Sequence, residues 1–134
     1  MNYIGTRNKD ICATASKAIL QGICEDGGLF LPEEMPVLKK PLCELVQLDY
    51  RALAYEILSL FLTDFTEEEL KACINGAYDE KFDVPVIVPA VKAGDVSILE
   101  LFHGKTIAFK DMALSILPYL MKTAAKKNGL DKEI

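Results

Sequence analysis

The chain has 134 residues, 51% hydrophobic and 26% charged, which suits one compact domain that buries about two-thirds of its unfolded surface. A formal net charge of -5, from 15 Lys+Arg against 20 Asp+Glu with no basic stripe, argues against nucleic acid and acidic lipid as partners. No apolar run approaches the roughly 20 residues that cross a bilayer: the longest, Val84 to Val91, is interrupted by Pro85 and Pro89.

The opening Met1-Asn2-Tyr3-Ile4-Gly5-Thr6-Arg7 lacks a basic segment followed by an apolar one, so a cytoplasmic protein is expected. Cys12, Cys24, Cys43 and Cys73 contain no C-x-x-C pair, and His103 is the single histidine. A metal site is therefore not expected, and the cysteines read as buried or partly buried thiols. A cysteine nucleophile would need a histidine beside it, and His103 is at least 30 residues from each of the four.

In chain order, Tyr3-Ile4 predicts a short strand. Thr14 or Ser16 can cap a helix whose apolar positions are Ala15, Ala18, Ile19, Gly22 and Ile23. Asp26-Gly27-Gly28 forces a turn, and the apolar run Leu29-Phe30-Leu31 stops at Pro32. Pro36 and Pro41 mark a loop in which Lys39 and Lys40 are solvated. Asp49 precedes a helix with Leu53, Ile57, Leu60 and Phe61 on one face. Thr66-Glu67-Glu68-Glu69 is a capping box flanked by the apolar pair Phe65 and Leu70, with Leu70, Cys73, Ile74, Ala77 and Tyr78 as the inward stripe behind it.

Pro85, Pro89 and the turn Ala93-Gly94-Asp95 form the best internal boundary. Beyond it, Ser97 to Phe102 reads as a strand of a sheet covered on both faces. His103-Gly104-Lys105-Thr106 is a loop. A long helix follows, with Phe109, Met112, Ala113, Ile116, Leu117, Leu120, Met121 and Ala124 at helical spacing. Pro118 should kink or break it by crowding the carbonyl of Leu114, and Asn128-Gly129 should stop it. A second strand is expected to begin in Leu130-Asp131-Lys132-Glu133-Ile134. Strand, helix and half a strand make an unfinished βαβ unit, which points to a piece of a longer protein.

Gly104-Lys105-Thr106 between a strand and a helix suggests the tail of a phosphate-binding loop, but the glycine which that motif needs at position 99 is a leucine. Lys110 follows Ile107-Ala108-Phe109 at the start of the long helix. A helix N-terminus and an aromatic neighbour both favour the neutral amine that a Schiff base requires, while Asp111 could cap the first turn or balance charge. From spacing alone, an ordinary surface lysine is the simpler reading.

Leu99-Glu100-Leu101-Phe102-His103-Gly104 with Thr106-Ile107-Ala108-Phe109-Lys110-Asp111 resembles the stretch around the cofactor lysine of threonine synthases, pyridoxal-phosphate enzymes of the tryptophan-synthase-β-like fold. Tyr3-Ile4-Gly5-Thr6-Arg7, Ala18-Ile19-Leu20-Gln21-Gly22 and Asp26-Gly27-Gly28-Leu29 resemble the opening segments of the same family. The resemblance implies an α+β N-terminal domain over 1–93, then the incomplete start of an α/β pyridoxal-phosphate domain over 94–134. It implies that Lys110 is both the catalytic residue and the residue that binds pyridoxal 5'-phosphate covalently, moving protons while the cofactor ring takes up electrons.

The implied reaction of the intact enzyme converts O-phospho-L-homoserine and water to L-threonine and phosphate. Phe109 then either lines the cofactor cavity or, the preferred reading, opens the core face of its helix. Lys105 stands where many members have proline, and is either a solvated loop lysine or a contact for substrate phosphate. The family's Gly-, Ser- and Thr-rich phosphate cradle and its partner for the pyridine nitrogen have no counterpart in these residues, so the chain alone is expected to be inactive. The alternative is a non-catalytic binding module that self-associates through the apolar stripe 109–124.

Overall fold

The computed structural model describes residues 1–130. Strand β1 (Tyr3–Gly5) is the centre of a small antiparallel sheet between β2 (Cys12–Ala13) and β3 (Phe30–Pro32), with Tyr3 opposite both Ala13 and Pro32. Pro32 is tolerated because β3 is an edge strand, where a missing backbone donor breaks no ladder on the outer side. The helix α1 (Ala15–Gln21) is capped by Thr14, whose hydroxyl accepts from the Lys17 amide. Ser16 lies inside the helix, and its amide donates to Asp64 at 3.0 Å. α1 stops at Gly22, which takes φ 73°, so Ile23 falls outside it and is exposed, contrary to the helical spacing. The expected Asp26-Gly27-Gly28 turn forms: Asp26 Oδ1 accepts from the Gly28 amide at 2.8 Å, and Gly27 takes φ 78°.

The loop marked by Pro36 and Pro41 leads into a short helix α2 (Leu42–Leu45) with Pro41 as its N-cap, and Lys40 is paired with Glu56 rather than merely solvated. Asp49 caps α3 (Tyr50–Phe61) by accepting from the Ala52 amide at 2.8 Å. The face that meets the core is Tyr50, Ala54, Leu58 and Phe61, joined by Tyr55; of the four positions expected inward only Phe61 belongs to it. Every apolar position of α3 is half-buried, so periodicity located a helix but not its contact face. α4 (Glu67–Ala77) carries the capping box in full: Thr66 accepts from the Glu69 amide, and Glu69 accepts from the Thr66 amide at 2.8 Å. Phe65 and Leu70 are both buried beside it, and Cys73, Ile74, Ala77 and Tyr78 line the core as expected.

The second half departs from its sequence reading. β4 (Ala90–Ala93) and β5 (Val96–Leu99) form an antiparallel hairpin across Gly94-Asp95, with Gly94 at φ 62°. All eight strand residues are exposed, so Ser97 to Phe102 is not a strand covered on both faces, and Leu101 and Phe102 lie beyond its end. A two-residue turn lets adjacent segments pair at once, which a parallel strand cannot do without a distant partner. The turn expected at Ala93-Gly94-Asp95 is this one.

The expected long helix is two. α5 (Asp111–Leu114) ends before Ile116, and α6 (Leu117–Lys127) begins with Pro118 in its first turn. The break that Pro118 was expected to make thus falls just before it, where the absent N–H has no helical partner to lose. α6 ends at Asn128 and Gly129, the latter at φ 67°.

One core joins the two halves. Ala15 of α1, Leu70, Cys73 and Ile74 of α4, and Leu120 and Ala124 of α6 are buried in a single cluster that includes Ile116. The stripe expected to be uncovered is therefore partly buried within the chain, while Phe109, Ala113 and Leu117 are exposed. Lys127 reaches back to Glu69 at 2.8 Å, tying the end of α6 to the start of α4. Of the cysteines, all free, Cys24 and Cys73 are buried, but Cys12 and Cys43 are exposed, contrary to expectation. The architecture is mixed α and β. Of the second strand expected to begin in Leu130 to Ile134, Leu130 is not in a strand and the other four residues lie outside the described ones.

Candidate functional site

Residues 100–114 are built by polar braces more than by apolar burial. His103 follows the hairpin, and its ring is held from both sides. Nδ1 is 2.7 Å from Asp83 Oδ1, and Nε2 is 2.8 Å from Glu100 Oε2. Carboxylates only accept, so a ring that donates from both nitrogens is the imidazolium. The hydrogen bond to Glu100, then that to Asp83 and both charges, hold the imidazole above its ordinary range against the opposing effect of burial. The Asp83 amide donates to the His103 carbonyl at 3.0 Å, and the Phe102 ring lies 4.7 Å from the imidazole. These contacts bind the loop before the hairpin to the loop after it.

Asp111 is the buried acid of the segment, 5% exposed. Its two oxygens accept from Thr106, Oδ2 from the amide at 2.8 Å and Oδ1 from the hydroxyl at 2.6 Å. The Thr106 hydroxyl and then its amide hold the Asp111 carboxyl below its ordinary range. Asp111 therefore closes the loop behind it rather than capping the helix ahead. Gly104 makes this possible: a Cβ there would stand 2.5 Å from the Asp111 side chain. A third brace comes from the C-cap of α4, where the Tyr78 hydroxyl donates to the Met112 carbonyl at 2.7 Å. Burial, reinforced by Tyr50, pushes the Tyr78 phenol far above its ordinary value, so it remains a donor.

Lys110 lies between these braces, exposed, at the start of α5; its carbonyl accepts from the amides of Ala113 at 3.0 Å and Leu114 at 2.8 Å. It borders an open cleft of about 550 Å³ whose other walls include Tyr50, Val88, Leu99, Leu101 and Met112. An amine at the rim of an apolar cleft can meet the carbonyl of a flat ligand while the walls shelter its ring. Two sequence expectations are corrected. Phe109 lines the cleft but is 65% exposed, so it is not the first core residue of its helix. The helix behind Lys110 is only four residues long, so its dipole is weaker than a long helix would supply.

Lys105 is exposed and stands outside the cleft lining. Sequence reasoning missed Asp83, Glu100 and Tyr78 as supports. Their partners are distant in sequence or hidden in a loop; the only local signal was the clustering of Glu100, His103 and Asp111 around Gly104. Among the described residues there is no group of three His, Cys, Asp or Glu that could hold a metal, and no helix is long and apolar enough to cross a membrane.

Comparison with known proteins converges on one family. Residues 2–78 match the family model described as the threonine synthase N terminus. Threonine synthase of Schizosaccharomyces pombe is 35% identical over 135 residues, covering 96% of this chain and 26% of that protein. A pyridoxal-phosphate-bound threonine synthase structure from Brucella melitensis superimposes with a TM-score of 0.84 at 30% identity, over 96% of this chain and 28% of that one. The threonine synthase structure from yeast gives the same TM-score and identity, over 98% of this chain and 28% of that one. The chain thus spans about a quarter of the length of the relatives it matches. It belongs to the threonine synthase family and corresponds to the N-terminal portion of those enzymes.

Proposed function

We propose that this chain is the part of a threonine synthase that supplies the lysine anchor for pyridoxal phosphate, Lys110. In the whole enzyme the reaction would convert O-phospho-L-homoserine and water to L-threonine and phosphate, a lyase step of threonine biosynthesis. One observation carries the reading: within a family whose Brucella member binds pyridoxal phosphate, Lys110 borders an apolar cleft at the start of a helix. The residues present suit the aldehyde end and ring of that cofactor, with a primary amine at the rim and Leu99, Leu101, Phe109 and Met112 as walls.

The cofactor, once bound, supplies an electron sink for charge that develops on the substrate carbons. Lys110 would hold the cofactor covalently as a Schiff base and afterwards carry protons to and from the substrate from the same amine. Leu99 and Leu101 would supply apolar wall beside the bound cofactor. The same reading assigns residues 94–134 to the start of the cofactor domain and 1–93 to the domain before it, with α6 packed on both. The phosphate cradle and the partner of the pyridine nitrogen would come from chain beyond these residues, which is why catalysis is expected only of the longer polypeptide, in the cytoplasm.

The test is borohydride reduction of the full-length enzyme loaded with pyridoxal phosphate, followed by peptide mapping. Pyridoxyl mass on the peptide that contains Lys110 is expected; mass on a different lysine overturns the assignment. A second reading is a non-catalytic module that self-associates, favoured by the exposed apolar surface of Ile98, Leu99, Phe102 and Phe109. Light scattering separates the two: a concentration-independent monomer counts against a standing self-interface.

A further inference from the structure

We infer that Asp111 is the positioning residue of Lys110, acting through Thr106 and Gly104, an inference that rests on the proposed role of Lys110. The observation behind it is the direction of the Asp111 side chain. An acid at the first position of a helix usually turns toward the helix's own free amides. Here both oxygens turn backward, to the amide and hydroxyl of Thr106, five residues upstream. The result is a closed ring of backbone from Thr106 to Asp111, and Lys110 is the last residue inside it.

The ring is braced at each end. The Ile107 amide donates to the Gly104 carbonyl and the Asp111 amide to the Ala108 carbonyl, both at 3.0 Å. Ile107 takes φ 62°, a conformation that costs a β-branched residue roughly 1–2 kcal/mol and must be held by its surroundings. Gly104 packs directly against the Asp111 side chain, and both are buried although Lys105, Thr106 and Ile107 between them are exposed. Met112, next along, is fixed to the C-terminal end of α4 by the capping residue Tyr78. The Cα of Lys110 is thereby anchored on both sides, while its exposed side chain lines the cleft.

The loop is at the surface, and an ordinary polar turn could close it. The arrangement instead fixes the origin of a long flexible side chain, and placement errors of about 1 Å at a reacting group can cost on the order of a hundredfold. The hydrogen bonds, not the charge, do the positioning. An amide at 111 can still accept from the Thr106 amide through its oxygen and donate to the Thr106 hydroxyl through its nitrogen. The conservative variant should therefore rescue.

The experiment uses the full-length enzyme with pyridoxal phosphate as the probe, and reads the fraction of Lys110 reduced by borohydride at a fixed, limiting cofactor concentration. Asp111→Ala should lower labelling of Lys110 about tenfold, while Asp111→Asn should stay within about twofold of the unaltered enzyme. Should Asp111→Ala fail to fold, Thr106→Val and Thr106→Ser decide the matter, because Thr106 is exposed and only serine keeps the hydroxyl. Valine should reduce labelling, and serine should restore it. Equal labelling in the alanine and unaltered enzymes overturns the inference while leaving Lys110 in its role. So does an asparagine variant as poor as alanine, which would mean that charge and not placement matters. Absence of label from Lys110 in the unaltered enzyme overturns the Lys110 assignment, and this inference with it.

Discussion

The helical core and the segment from the hairpin to α5 use similar residues in opposite ways. In α4, Leu70, Cys73, Ile74 and Ala77 are almost fully enclosed, with α3 and α6 packed against the helix. In the hairpin, Val91, Val96, Ile98 and Leu99 are exposed, although they are as apolar. The core is held by burial, worth roughly 1.5–3 kcal/mol for each large side chain removed from water. The 100–114 segment is held by three directed contacts: His103 between two carboxylates, Asp111 on Thr106, and Tyr78 on the Met112 carbonyl. Burial is tolerant of small shifts, whereas hydrogen bonds fix positions. The second strategy would suit a segment that presents a side chain at a defined place, as proposed for Lys110.

That contrast can be broken most directly by truncating one residue on each side. Leu70→Ala should cost about 3–4 kcal/mol in chemical denaturation, since Leu70 is 2% exposed and leaves a cavity. Ile98→Ala should change stability by less than about 0.5 kcal/mol, because Ile98 is 47% exposed. Equal losses at the two positions would mean that the hairpin is covered in solution. A smaller effect tests the local logic of the core: Thr66→Ala removes the hydroxyl half of the capping box and should cost about 1 kcal/mol, seen as a lowered melting temperature. An unchanged melting temperature would mean that the packing of Phe65 and Leu70 alone sets the start of α4.

The smallest expected effect sharpens the other side of the comparison. The imidazole of His103 is held above its ordinary value, chiefly by Glu100 and then by Asp83. The folded protein therefore binds its proton more tightly than the unfolded chain does. The resulting stabilisation is complete below the ordinary histidine range, near pH 6.5, and is lost as pH rises through the higher folded value. Amide exchange near Asp83 and His103 should quicken over that window, beyond the intrinsic base dependence, while exchange in α4 follows the intrinsic dependence alone. In His103→Gln the additional step should vanish; its persistence would show that a different group titrates there.

Features that close within one turn of chain were legible without any structure. The capping box reads from Thr66 and Glu69 because its two hydrogen bonds join residues three apart. The Asp26-Gly27-Gly28 turn reads because a short carboxylate and a glycine at positive φ are local requirements. Pro118 marked the helix break because its missing amide and its ring act on the preceding turn. The start of a helix at Lys110 was legible from the residues around it.

The tertiary structure decided what depends on partners far along the chain. Helical spacing identified α3 but not that Tyr50, Ala54 and Leu58 face the core, because its apolar residues encircle it and α4 selects among them. The run Ser97 to Phe102 has the composition of a covered strand; it is an exposed hairpin because Val91 and Ala93 lie a two-residue turn away. His103 appeared solitary until Asp83, 20 residues before it, arrived at 2.7 Å. Local hydrogen bonds and backbone preferences are written in neighbouring residues, while burial and charge pairing exist only once distant segments meet.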